Sequence, residues 1–247
     1  MQRIHVPTGG LRYWVALCTA SVLGCNTGDG FASIFGFLSG LPILLALFGL
    51  TLFLERRDDR PRQIYYWTAI IIVRTAATNL ADFTDQHLRN TAFLVLGLLL
   101  LAALAVRFVL ARMSSARQPG EGVLDRVDLL YWATMLVAGT LGTALGDFSS
   151  FRTGLGLAGA SLVLSIVVAG LIGLGSGVRL FSFSLYYWAT VVAIRTAGTS
   201  AGDYFARIWG LPESTLVFAV ILVALLALWP ERPRAVQPSL QPGMGAA

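Results

Sequence analysis

The chain has 247 residues, 56% of them hydrophobic and only 13% charged, with a mean hydropathy of +0.72. A soluble domain carries about a quarter charged residues, so this composition argues against a water-soluble protein and predicts a surface that faces lipid. The net charge of +5 comes from 18 basic residues, all arginine, against 13 acids; most of the arginines lie between apolar segments, where they read as topology signals and not as a nucleic-acid surface.

Taken in order, residues 1–10 form a polar leader with no cleavable signal, and the first apolar helix is expected to insert the chain. Apolar runs predict helices at about 11–29, 41–54, 64–82, 91–111, 129–147, 156–174, 185–203 and 212–229, the last opened by Pro212. A Ser-, Pro- and Gly-bearing connection over 113–128 separates two halves, 11–112 and 129–230, and a Pro-rich tail, 231–247, is expected to be disordered. The expected fold is an all-α integral membrane protein: eight transmembrane helices from four parallel two-helix repeats around a pseudo-symmetric polar core.

The repeat rests on one spacing. Tyr13-Trp14, Tyr66-Trp67, Tyr131-Trp132 and Tyr187-Trp188 are each followed, fifteen residues after the Trp, by Asp29, Asp82, Asp147 and Asp203 at the end of the predicted apolar run. Arginines concentrate in the leader, in the links after even-numbered helices and in the tail, which predicts cytoplasmic termini. The Tyr-Trp pairs then fall at the cytoplasmic interface, where amphipathic rings are at home. Each Asp falls about 22 Å further along its helix, in the outer part of a hydrocarbon layer about 30 Å thick.

Counting back from each Asp, position −4 holds Cys25, Thr78, Thr143 and Thr199, and position −3 holds Asn26, Asn79, Ala144 and Ser200. Position −7 holds Val22, Thr75, Thr140 and Thr196, and position −8 holds Ser21, Arg74, Gly139 and Arg195. Offsets of three, four, seven and eight share one helical face, so the four odd helices are expected to turn polar stripes toward one another, with the even helices outside. Helix packing alone explains the small residues and hydroxyls. It explains the intramembrane charges badly, since each costs about 2.5 kcal/mol or more on insertion scales. An alternative structural reading has each Asp capping the link that follows it. Arg74 and Arg195 occur in alternate copies and give the core two-fold character; they would bond carboxylates or carbonyls across the bundle, or set the charge of a cavity. Cys18 and Cys25 lie about 10 Å apart along one helix, too far for a disulfide, and read as packing residues.

These four copies of Tyr-Trp followed by Asp, three of them with Thr at −4, resemble a bacterial membrane-protein family built from four tandem repeats of unknown function, each with two spans and a Trp. The resemblance covers about 11–229 and carries Trp14, Trp67, Trp132 and Trp188 together with the four Asp. It implies the architecture and a bacterial inner-membrane setting, and no activity. Copy one departs most, with Cys25 for Thr and Ser21 for Arg.

The leading functional expectation is cation transport, as proton-coupled export of a divalent metal such as Mn. Asp29, Asp82, Asp147 and Asp203 would be the metal ligands, aided by Thr78, Thr143, Thr199, Asn26, Asn79 and Ser200, with Arg74 and Arg195 setting the charge. Such oxygen donors suit hard cations, and because the arginines make the site two-fold, Asp82 and Asp203, in the copies with Arg, are expected to be its strongest members. Two alternatives stand beside it: a structural or regulatory protein whose polar core only packs, and a carrier of an anion or small polar solute using Arg74 and Arg195. No nucleophile with a nearby base and no phosphate loop is evident, so no enzyme and no cofactor are expected. The expected partners are the bilayer, the transported species and a possible second copy of the chain, with no nucleic acid.

Overall fold

A computed structural model describes residues 6–60, 62–88, 91–113, 123–125, 127–178 and 184–229. These form α1 (Leu11–Phe35), α2 (Leu41–Arg57), α3 (Ile64–Leu88), α4 (Ala92–Met113), α5 (Leu129–Phe151), α6 (Gly156–Val178), α7 (Ser184–Trp209) and α8 (Leu211–Leu228), with a 3-10 turn at Val123–Asp125. The described residues contain no strand. Most of the proposed 113–128 linker and the 231–247 tail lie outside the described residues.

The odd helices run past their aspartates, by six residues in α1, α3 and α7 and four in α5. This corrects the expectation that each Asp ends its helix. Phe83-Thr84, Phe148-Ser149 and Tyr204-Phe205 follow directly, and in α1 the helix runs on through Gly30 to Phe31-Ala32. After α1 and α7 the turn comes at Gly36 (φ 76°) and Gly210 (φ 96°), where a side chain would be strained. The capping reading of the Asp residues therefore lapses. The one aspartate seen to cap a helix is Asp128, which accepts from the Tyr131 N–H at 2.7 Å and receives Arg107 Nη1 of α4 at 3.3 Å.

The odd helices form a closed inner ring in the order α1, α3, α5, α7 and back to α1. Each even helix lies outside, and it packs on the odd helix that follows it in the chain: α2 on α3, α4 on α5, α6 on α7, and α8 back on α1. Arg12 fastens the last of these, donating from Nη2 to the carbonyl of Leu226 at 3.1 Å and from Nη1 to Gln63 Oε1 at 2.9 Å. The outer layer thus interlocks neighbouring pairs and closes the ring.

Four helices, α4, α5, α6 and α8, are long and apolar enough to cross a membrane. In α4, α6 and α8 these stretches have mean hydropathies of 2.7, 2.4 and 2.3 and are largely unburied, with Leu94, Leu98, Leu101, Leu162, Ile166 and Leu216 exposed. An apolar surface of that extent points to membrane association. The other four fall short of that standard: α2 has 17 residues, and α1, α3 and α7 carry the polar stripe that turns inward.

Candidate functional site

The inner helices meet through small residues. A Cβ added at Gly24 of α1 would collide with Arg74 of α3, and one at Gly28 with Thr78. The same pairing recurs around the ring: Gly142 against Arg195 and Gly146 against Thr199 between α5 and α7, then Gly198 against Ser21 and Gly202 against Cys25 between α7 and α1. Between α3 and α5, Ala77 faces Gly139. At each seam, position −5 of one helix meets −8 of the next; where glycine also stands at −1, that residue meets −4. The small-x-x-x-small pairs Gly24/Gly28, Ala77/Ala81, Gly142/Gly146 and Gly198/Gly202 were legible in the sequence, and the polar stripe drew attention away from them. They let backbones approach as in other membrane bundles.

Arg74 and Arg195, 1% and 0% exposed, occupy the middle of this core. Arg195 touches all three other inner helices. Its Nε donates to Thr143 Oγ1 at 2.9 Å and its Nη1 to the Ser21 carbonyl at 2.8 Å; its Nη2 bonds Thr78 Oγ1 and reaches the Arg74 carbonyl at 3.3 Å. Arg74 donates from Nη1 to Ser21 Oγ at 3.0 Å. Among the described residues neither guanidinium pairs with a carboxylate within 4.0 Å, so of the two expected kinds of partner, carbonyls and hydroxyls are present and carboxylates are not. Ser21 and Gly139 stand at the equivalent places on α1 and α5.

Toward one end of the core lie the four aspartates, all half-buried and within electrostatic reach of one another. Their closest grouping joins copies one and four: one ligand atom each from Cys25, Asp29 and Asp203 lies within 4.8 Å of the other two. The Cys25 thiol is 3.5 Å from Asp203 Oδ1 and 4.0 Å from Asp29 Oδ2. The residue by which copy one departs from the others is the one that completes this grouping. The grouping contains Asp203 with Asp29, and not Asp82.

The remaining stripe residues divide. Thr78 and Thr143 are taken by Arg195. Asn26 and Ser200 sit at seams: Asn26 Nδ2 donates to Ser214 Oγ of α8 at 2.7 Å, and Ser200 Oγ accepts from Ser150 Oγ of α5 at 3.0 Å and donates to the Gly146 carbonyl at 3.2 Å. Both amide atoms of Asn79 and the Thr199 hydroxyl are buried without a partner among the described residues.

At the other end the four repeated tyrosines form a ring that the sequence reading missed. Their hydroxyls bond in sequence, Tyr13 to Tyr66 at 3.1 Å, Tyr66 to Tyr131 at 2.7 Å, Tyr131 to Tyr187 at 3.1 Å and Tyr187 to Tyr13 at 2.5 Å. Each tyrosine ring packs on the next helix's tryptophan: Tyr13 on Trp67, Tyr66 on Trp132, Tyr131 on Trp188 and Tyr187 on Trp14, with centroids 5.4–5.9 Å apart. The tyrosines are at most 2% exposed and the tryptophans at most 6%. These aromatic residues are therefore buried in the bundle and close the inner ring at that end, where an interfacial position alone would have left them exposed.

No curated protein and no solved structure is similar to the chain at a significant level. The model of a family described as Repeat of Unknown Function (DUF347) matches residues 130–179 and 186–231, the α5–α6 and α7–α8 pairs.

Proposed function

We propose that the protein is an eight-span bacterial inner-membrane carrier of a divalent cation, built from four such repeats, and that the cation binds at the aspartate end and is exchanged for protons. The observation that supports this reading is the Cys25–Asp29–Asp203 grouping inside a bundle that the Tyr ring closes at its other end. Ionised carboxylates hold the cation; their protonation releases it. Export follows if the termini are cytoplasmic, because the aspartate end then faces outward and the tyrosine ring is the inner gate, which must part for loading.

The donor set refines the substrate. Two carboxylates with one thiol suit Mn, Co or Zn better than Mg, which prefers oxygen alone. Asp82 and Asp147 would lend charge from the same end, against which the nearest cation is Arg195.

The test is Mn uptake and release by the purified protein in liposomes with a pH step across the membrane. Asp29→Asn with Asp203→Asn should lower transport at least ten-fold while the folded protein survives, and Cys25→Ser should shift preference from Zn toward Mn. Wild-type transport in the double variant would end this reading. Lowered stability in that variant, with no cation effect in the wild type, would instead favour a polar core that only packs.

A further inference from the structure

Arg74 and Arg195 share one register but not one environment. Arg195 bonds through all three of its nitrogens, and Cys25, Asp29, Asp147 and Asp203 are its strongest electrostatic neighbours. Arg74 is equally buried, yet its Nε and Nη2 have no partner among the described residues. The charges that act on it most are Arg195, which repels it, then Tyr13, Cys18 and Tyr66, groups ordinarily neutral at pH 7. A buried cation beside a second cation, with no acid to balance it, is among the most costly arrangements in a protein interior.

The identity of the free nitrogens is informative. Nε and Nη2 carry the parallel N–H bonds along one edge of the guanidinium, the fork that takes an oxyanion through two bonds. The Arg74 fork is not used by the fold. Both atoms of that edge are buried, which restricts any occupant to a small one.

From this we infer that Arg74 holds a small monovalent anion, a halide or an oxyanion of nitrate size, at its free Nε–Nη2 edge inside the bundle. The anion supplies the missing counter-charge and is separate from the cation grouping at the aspartate end. It makes the stability of the folded protein depend on the anion in the medium.

The test uses the purified full-length protein in chelator-containing buffer, so that divalent cations play no part. Sodium gluconate is replaced stepwise by sodium bromide, or by sodium nitrate, at constant ionic strength, while the melting temperature is followed. A saturable rise is expected for the wild type with at least one of the two. Bromide alone identifies a halide site, nitrate alone an oxyanion site. Arg74→Gln should weaken the response at least ten-fold. Crystals grown in bromide supply a second measurement that needs no variant: where the halide binds, anomalous density should lie against Arg74 Nε and Nη2. No saturable response of the wild type to either anion would overturn the inference. So would an unchanged response in Arg74→Gln, or a bromide response with anomalous density elsewhere.

Discussion

The two ends of the inner bundle are made by the same spacing and behave in opposite ways. Four tyrosines and four aspartates are each presented once per inner helix, in register. A tyrosine hydroxyl is donor and acceptor at once, so four of them close a ring in which each satisfies the next. An ionised carboxylate only accepts. Four of them cannot satisfy one another, and here they find the Cys25 thiol and the more distant Arg195 charge. Pseudo-symmetry therefore joins the residues at one end to one another and leaves the ionised carboxylates at the other without each other as partners. A repeated residue becomes a plug or a site according to whether its side chain can be its own partner.

The comparison depends on the ring of helices staying closed, and the largest expected effect comes from opening it. A Cβ at Gly198 already meets Ser21, a residue that bonds both arginines. Gly198→Leu should wedge α7 from α1 and disturb both ends together, at a cost of about 3 kcal/mol, near the upper range for overpacking. A thermal melt in detergent checks this. A variant as stable as the wild type would mean that the α7–α1 seam is looser than drawn.

A smaller effect distinguishes the ends from each other. In chelator, Asp29→Asn with Asp203→Asn should raise stability by about 1 kcal/mol, a usual size for coupling between neighbouring groups, because like charges are removed. Added Mn or Zn should stabilise the wild type and leave the double variant unmoved. If the substitutions destabilise the apo protein, the carboxylates are structural partners and the contrast with the tyrosine end fails.

Much of this was legible in the sequence because helical periodicity carries it. The eight helices, the inward polar faces and the outer position of the even helices follow from offsets of three, four, seven and eight. Three things did not follow, each for a physical reason. Helix ends were placed too early because an Asp after an apolar run resembles a boundary, whereas the helices run on to Gly36 after α1, Arg152 after α5 and Gly210 after α7. The even helices pack on the next odd helix in the chain, a choice between neighbours that periodicity cannot make. The grouping of Cys25 with Asp203 depends on which helices adjoin across the ring, and copy one meets copy four only because the ring closes. Sequence alone picked out Asp82 and Asp203 as the strongest members because both copies contain arginine, but likeness of copies says nothing about adjacency.

An effect of similar size and opposite sign falls on the tyrosine end. Tyr66→Phe removes two of the four ring bonds, those to Tyr13 and Tyr131, while both of those hydroxyls keep a bond to Tyr187. The ring opens into a chain of three and no hydroxyl is orphaned. The Tyr66 aromatic contact with Trp132, at 5.6 Å, remains because Phe preserves the ring. Two buried neutral hydrogen bonds at about 0.5–1.5 kcal/mol each set the upper bound, and the retained partners bring the expected loss to about 1 kcal/mol. Substituting Tyr187 as well leaves the Tyr13 and Tyr131 hydroxyls buried without a partner, so the second substitution should cost more than the first. A double-mutant cycle on Tyr66→Phe and Tyr187→Phe measures this, and strictly additive losses would mean that the four hydroxyls act as separate pairs and not as one ring.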